Sequence, residues 1–174
     1  NPRNLPVFGM PDTAYVHDSL NVSVVTDEYE YISRNANECL STSEGCKAIQ
    51  MLGHSMNAVS IPKGGSLEYD FDTSTNGDVV MKIALIPTQP NDNGDIRFSV
   101  CIDGGEERVF SIKEPFRSER WKLNVLRGQA VREINLDGLA AGKHSLRIKA
   151  LDNHIIMDQW NVDFNKKRKI YLIK

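Results

Sequence analysis

Two carboxylates at alternate positions are the first residues in this sequence that could do chemistry. Glu28 and Glu30 stand in Thr26-Asp27-Glu28-Tyr29-Glu30-Tyr31, so an extended backbone puts both on one side and Tyr29 and Tyr31 on the other. Like charges this close repel unless a cation or a basic group sits between them. Calcium suits such a pair, because it takes six to eight oxygen ligands at about 2.3–2.6 Å. Asp158 offers a third carboxylate. Spacing alone fits a charged, solvated strand face better than a metal site.

Aromatic side chains are the other candidates, since a pyranose stacks its C–H face on an aromatic ring. Trp121, Trp160, Tyr15, Tyr29, Tyr31 and Phe116 could serve. Trp160 shares a strand face with Val162 and Phe164, and Trp121 shares one with Leu123 and Val125, so both tryptophans are expected in the core. Tyr31 and Phe116, near loops, are the better surface candidates. The four histidines, His17, His54, His144 and His154, are scattered. No nucleophile elbow, phosphate-cradling loop or His-Glu-x-x-His motif occurs. With 23 acidic residues, some pair always lies near another, so a glycosidase pair has no specific signature. This chain alone reads as non-catalytic.

Composition narrows the partners. The formal net charge is -2 and 25% of the 174 residues are charged, so no global field favours nucleic acid. The basic run Lys166-Lys167-Arg168-Lys169 reads as a solvated turn. No apolar run approaches the roughly 18–20 residues of a membrane span. Three cysteines, Cys39, Cys46 and Cys101, do not make a disulfide framework or a zinc cluster. Cys39 and Cys46 could pair in an oxidising compartment or stay as two thiols. The opening residues carry no signal-peptide core; a removed signal or a longer parent chain is the expectation.

The elements that must position these residues are strands. Leu67, Tyr69 and Phe71 alternate with Glu68, Asp70 and Asp72, and Ile96, Phe98, Val100 and Ile102 with polar neighbours, the period of half-buried strands. Between them Val79 to Ile86 is apolar nearly throughout, as in a strand covered on both faces. Turn signals at Thr75-Asn76-Gly77-Asp78 and Asp103-Gly104-Gly105-Glu106 separate them. Further strands are expected over 21–31, 48–61, 107–113 (with Val109 and Phe110 inside), 121–126, 131–136, 145–150, 155–164 and 170–173, with loops at 33–45 and 137–144. No segment shows a clean helical period. This pattern predicts an all-β fold, an antiparallel β-sandwich or jelly roll. Residues 1–20 read as an extended lead-in and residues 21–174 as a single domain.

The order of short motifs resembles the C-terminal domain of glycoside hydrolase family 115, the xylan α-glucuronidases. The pieces are Glu28-x-Glu30, Ile49-x-x-Leu52-Gly53, Leu67-Glu68-Tyr69, Leu85-Ile86-Pro87-Thr88-Gln89-Pro90 and Ile102-Asp103-Gly104. They continue with Trp121-x-x-x-Val125-Leu126, Gly142-Lys143-His144-Ser145-Leu146 and Met157-Asp158-Gln159. The resemblance implies a galactose-binding-like sandwich appended to a larger secreted or periplasmic enzyme, whose separate barrel removes 4-O-methyl-glucuronic acid from xylan. It is also similar to carbohydrate-binding modules of families 6 and 35, which implies a structural calcium at Glu28, Glu30 and Asp158. The chain departs from the pattern at Cys46, where the family has Trp, and at His54-Ser55-Met56, where it has Arg-Ser-Gly. His54 thereby joins Tyr31 and Phe116 as a carbohydrate-contact candidate. Three roles are expected to compete: packing on the catalytic domain of the same polypeptide or on a second subunit, binding xylan or glucuronic-acid-containing glycans, and acting as a free-standing interaction domain.

Overall fold

Alternation in the sequence becomes two stacked sheets in the structure. The computed structural model describes residues 29–89 and 94–165. Its strands are β1 (Tyr31–Asn35), β2 (Ser41–Thr42), β3 (Lys47–Gln50), β4 (Asn57–Ile61), β5 (Ser66–Thr73), β6 (Gly77–Leu85), β7 (Arg97–Ile102), β8 (Arg108–Ser111), β9 (Ala130–Leu139), β10 (Gly142–Ala150) and β11 (Ile155–Asp163). One helix, α1 (Glu119–Arg127), precedes β9. The first sheet has the order β3-β4-β11-β6-β9, with β1 also paired to β11; the second has the order β2-β5-β10-β7-β8. All pairings are antiparallel.

The core lies between the sheets. Along β5, Leu67, Tyr69, Phe71 and Thr73 are buried while Glu68, Asp70 and Asp72 face solvent. Central β6, flanked by β11 and β9, is buried almost end to end, which its apolar run requires. Trp160 is fully buried, with Tyr69 and Phe71 edge-on to it at 5.4 and 5.5 Å between centroids. The Tyr69 hydroxyl donates to the Ala36 carbonyl at 2.6 Å, which satisfies the one polar atom of that buried ring. The β7–β8 hairpin turns through Asp103 and Gly104, both left-handed at φ 54 and 66, the geometry an Asp-Gly pair supplies.

Several expectations change. Residues 119–127 are helical, not extended: the Trp121-x-Leu123-x-Val125 alternation loses to strong end signals, described below. Trp121 is consequently half-buried at the surface rather than in the core. Val109 is 57% exposed because β8 is an edge strand. The anticipated long loop over 33–45 contains the end of β1 and all of β2, and the loop over 137–144 shrinks because β9 and β10 extend to Leu139 and Gly142. Cys39 and Cys46 are free thiols, both packed against the core, with burial pushing the Cys39 thiol upward. The lead-in, the basic run and the strand expected over 170–173 lie outside the described residues.

His144 locks one end of the sandwich and makes it pH-sensitive. Its Nδ1 lies 2.7 Å from Asp103 Oδ2 and its Nε2 lies 2.7 Å from the Ala140 carbonyl, while the ring stacks on Phe71 at 5.2 Å. Two acceptors call for two N–H donors, which only the protonated imidazole offers. Burial opposes that charge, but the Asp103 hydrogen bond, the Ala140 carbonyl and the Asp103 and Asp72 charges together raise the pKa. A raised folded-state pKa stabilises the fold fully below the unfolded value of about 6.5, and that contribution is lost as pH rises through the higher folded value. The melting temperature should therefore fall as pH rises from about 6.5 through the higher folded value in the native chain and fall less in His144→Gln. Parallel melting curves for the two proteins would refute this assignment.

Candidate functional site around Asp158, the β3–β4 turn and the helix

A β-bulge between Met157 and Gln159 breaks the β11–β6 register and takes Asp158 out of the ladder. The Asp158 side chain is completely buried, so its carboxylate must find donors within the protein. It finds three. Oδ2 accepts from the His54 backbone N–H and from Gln129 Nε2, each at 3.0 Å, and Oδ1 accepts from the Ser55 N–H at 3.0 Å. The β3–β4 turn supplies two of these by wrapping residues 51–56 over the carboxylate, with Met51, Gly53 and Met56 all left-handed. Met51 N–H donates to the Met56 carbonyl at 2.8 Å to close the turn. A Cβ on Gly53 would sit 2.4 Å from Asp158 Oδ1. Glycine here is a condition of the carboxylate's approach as well as of φ 78.

The third donor, Gln129, ties in the helix. Ser118 caps the N-terminus of α1, accepting the Trp121 N–H at 3.1 Å, and Glu119 lies in the first turn. Gly128 ends the helix at φ 66, its N–H donating to the Val125 carbonyl at 3.2 Å, and Gln129 follows at once. His54 Nε2 also contacts the Arg127 carbonyl, so it donates to one of the helix's last unpaired acceptors. A nine-residue helix with no buried residue is thus held by its C-terminal end.

The apolar residues of α1 are spread around the helix rather than gathered toward the core, and of them only Trp121 is half-buried. Arg120, Asn124 and Arg127, at i, i+4 and i+7, share one face. With Leu123 they line a groove of about 410 Å³ against Gln129, Val131, Arg132 and Glu133 of the domain itself. Val125 and Leu126, on the opposite face, are 51% and 84% exposed. Phe116, just before the helix, and Met51 and Met56, on the turn that His54 fastens to it, are exposed too. In the groove, Glu114 Oε1 serves two guanidinium groups, Arg120 Nε at 3.0 Å and Arg132 Nη2 at 3.1 Å. Arg132 is pinned further by donating to the Ser111 and Val131 carbonyls. Burial, and then the Arg120 charge, push the Arg132 pKa down against the opposing pull of Glu114.

The residues singled out from sequence do not converge. Glu30 caps the β5–β6 turn: its carboxylate accepts from Ser74 N–H at 2.9 Å, Thr75 N–H at 3.2 Å and Thr75 Oγ1 at 2.8 Å. Burial works against its charge, but these donors hold its pKa below the usual carboxylate value. The Glu30 carbonyl accepts from Phe164 N–H, six residues along β11 from Asp158, or about 20 Å at strand rise. Glu30 and Asp158 therefore cannot share one calcium, and Asp158 is spent on the turn; the calcium set Glu28, Glu30 and Asp158 does not fit. Glu28 lies outside the described residues. Tyr31 is half-buried, its hydroxyl accepting from Asn161 Nδ2 at 3.2 Å. Phe116 is 68% exposed, with Trp121 at its edge and the Arg117 guanidinium over its ring at 5.3 Å. His54 fastens the turn to the helix.

The anchor makes a stability prediction. Gly53→Ala should destabilise the chain by about 2–4 kcal/mol, combining left-handed strain with displacement of the buried carboxylate. Asp158→Asn, which turns an N–H toward donors, should cost about 2 kcal/mol. Urea melts of both variants check this, and wild-type midpoints for both would remove the anchor.

Comparison with known proteins fixes the kinship. The family model described as "Glycosyl hydrolase family 115 C-terminal domain" matches residues 25–173. A solved family GH115 4-O-methyl-α-glucuronidase, BtGH115A, with specificity for decorated arabinogalactans, is 37% identical with a TM-score of 0.67 over 75% of this chain. The present chain covers 17% of that protein's length. The C-terminal CBM6 of LamC, a laminarinase from Zobellia galactanivorans, matches 76% of this chain and 98% of its own at 10% identity and TM-score 0.57. A family 35 carbohydrate-binding module from Clostridium thermocellum matches 75% of this chain and 97% of its own at 15% identity and TM-score 0.56. These two likenesses speak for the shared β-sandwich alone. No curated protein matches the chain. By the family match and the identity to BtGH115A, the chain belongs to the C-terminal domains of glycosyl hydrolase family 115.

Proposed function

We propose that this chain is a non-catalytic accessory domain that packs through the outward face of α1 on the catalytic body of a family 115 α-glucuronidase-type enzyme. The carrying observation is the apolar surface that α1 leaves exposed. A surface helix ordinarily turns its apolar stripe toward its own core, whereas α1 has no buried residue and leaves Leu123, Val125 and Leu126 41%, 51% and 84% exposed. Burying such side chains gains roughly 1.5–3 kcal/mol each, and a partner surface is what would collect it. A catalytic body in the same polypeptide fits a chain that spans a small share of BtGH115A; a second subunit would use the same face. The parent enzyme acts on glucuronic-acid-bearing glycans, xylan or arabinogalactan, outside the cytoplasm.

Carbohydrate binding by the domain itself is the second reading, favoured by the polar groove behind α1. For a cation, the reading narrows to Glu28 and Glu30 at the strand start. There chelator should lower the melting temperature and calcium restore it, and unchanged curves would exclude it.

Docking is tested in the longer protein. Backbone amides of residues 119–127 should exchange at least about tenfold more slowly there than in the isolated chain, and Leu126→Asp should abolish the difference. Equal exchange in both contexts, together with heat on adding xylo-oligosaccharide to the isolated chain, would replace packing with glycan binding.

A further inference from the structure

The β3–β4 turn carries two methionines whose side chains the core does not hold. Met51 N–H donates to the Met56 carbonyl at 2.8 Å, one step beyond the last β3–β4 pair, Gln50 with Asn57, so the two residues stand opposite each other across the turn. Both backbones are left-handed, at φ 64 and 59, and the residues are 76% and 45% exposed. Backbone groups hold the turn instead, with His54 and Ser55 donating their N–H groups to Asp158. Met81 and Met157 sit differently, in the core between the sheets with no exposed surface; Met10 lies outside the described residues. A thioether is flexible, polarizable and apolar, which suits an adaptable contact, and it is also a group that peroxide oxidises. Exposure thus sets Met51 and Met56 apart for modification. His54 Nε2, on the Arg127 carbonyl, joins their turn to α1, and with it to the apolar surface assigned above to docking.

We infer that Met51 and Met56 are oxidation sites through which peroxide releases this face from the catalytic body, an inference that rests on the docking reading. In the step, a sulfur lone pair attacks one peroxide oxygen, the O–O bond breaks and a sulfur–oxygen bond forms. The sulfur loses two electrons; the other oxygen takes them, receives the proton of the transferred oxygen and leaves as water. The product sulfoxide is polar and accepts hydrogen bonds from water, so it favours the exposed state over a buried apolar contact. The turn itself survives, because the hydrogen bonds that close and anchor it are made by backbone groups and Asp158. Oxidation proceeds from the undocked state, where both side chains are accessible, and docking slows it. Enzymatic reduction of the sulfoxides returns the apolar surface.

The test uses the isolated chain and the longer protein together. In the isolated chain under hydrogen peroxide, peptide mass spectrometry should find Met51 and Met56 gaining one oxygen each at least about tenfold faster than Met81 and Met157. Equal rates at all four would overturn the site. In the longer protein, the slow amide exchange of residues 119–127 should rise to the isolated-chain rate once both sulfoxides are in place, and methionine sulfoxide reductases should restore it. Met51→Leu combined with Met56→Leu keeps the surface apolar without an oxidisable sulfur, so its exchange should stay slow through the same treatment. Slow exchange that persists with both sulfoxides confirmed would overturn the switch while docking stands. Release of the double variant by peroxide would overturn it as well, because another group would then be responsible. Fast exchange in the untreated longer protein would remove docking itself, and the switch with it, whatever the oxidation rates.

Discussion

The buried carboxylate of Asp158 is the constraint on which the outer architecture of this domain depends. Removing an ionisable group from water is costly unless donors replace the lost hydration. The three that do so come from separate parts of the chain: His54 and Ser55 from the β3–β4 turn, Gln129 from the junction of α1 and β9. Each donation fixes a segment that has little else to hold it. The turn has no buried apolar side chain of its own and α1 has no buried residue. The hydrophobic core around Trp160 stabilises the two sheets; the Asp158 network decides what is mounted on their outside.

That division explains why an exposed helix can be well placed. Isolated helices shorter than about 12 residues are marginal in water, and α1 has nine. Its ends compensate. Ser118 satisfies an N-terminal N–H, Gly128 and His54 take up C-terminal carbonyls, and Gln129 anchors the exit to β11 through Asp158. Because the anchoring is polar and terminal, the middle of the helix is released from core duty. Val125 and Leu126 can then stay outside.

The sandwich was legible in the sequence and the helix was not, for one physical reason. Strand periodicity is repeated many times, and β5 and β6 show it so regularly that burial follows residue by residue. In α1 the apolar residues do not mark the core face, so Trp121, Leu123 and Val125 imitate a strand. The true signals were at the ends: Ser118 with Glu119 at the start and Gly128 at the close. The site was harder still. The resemblance rests in part on Leu52-Gly53 and Met157-Asp158, but nothing local says that a glycine in one turn leaves room for a carboxylate 105 positions later. Gln129 carried no signal at all. Asp158 drops out of the calcium set on the same kind of distance, since Glu30 and Asp158 are joined by motif order and separated along β11.

At His54-Ser55-Met56 the chain departs from the Arg-Ser-Gly of the pattern it resembles, and each residue there has a visible part in the structure. Ser55 donates its N–H to Asp158, a role set by backbone geometry. His54 donates its N–H to the same carboxylate, which any residue could do, and uses its ring to reach the Arg127 carbonyl, which few could. Met56 accepts a left-handed backbone at φ 59 that glycine would adopt freely, a strain of about 1 kcal/mol, and in exchange presents an apolar side chain beside the helix. Both changes work toward the same end, a turn fastened to α1 and an apolar surface enlarged around it. His54 and Met56 thus shape the surface beside α1, while Gly53 and Asp158 beneath them hold the turn in place.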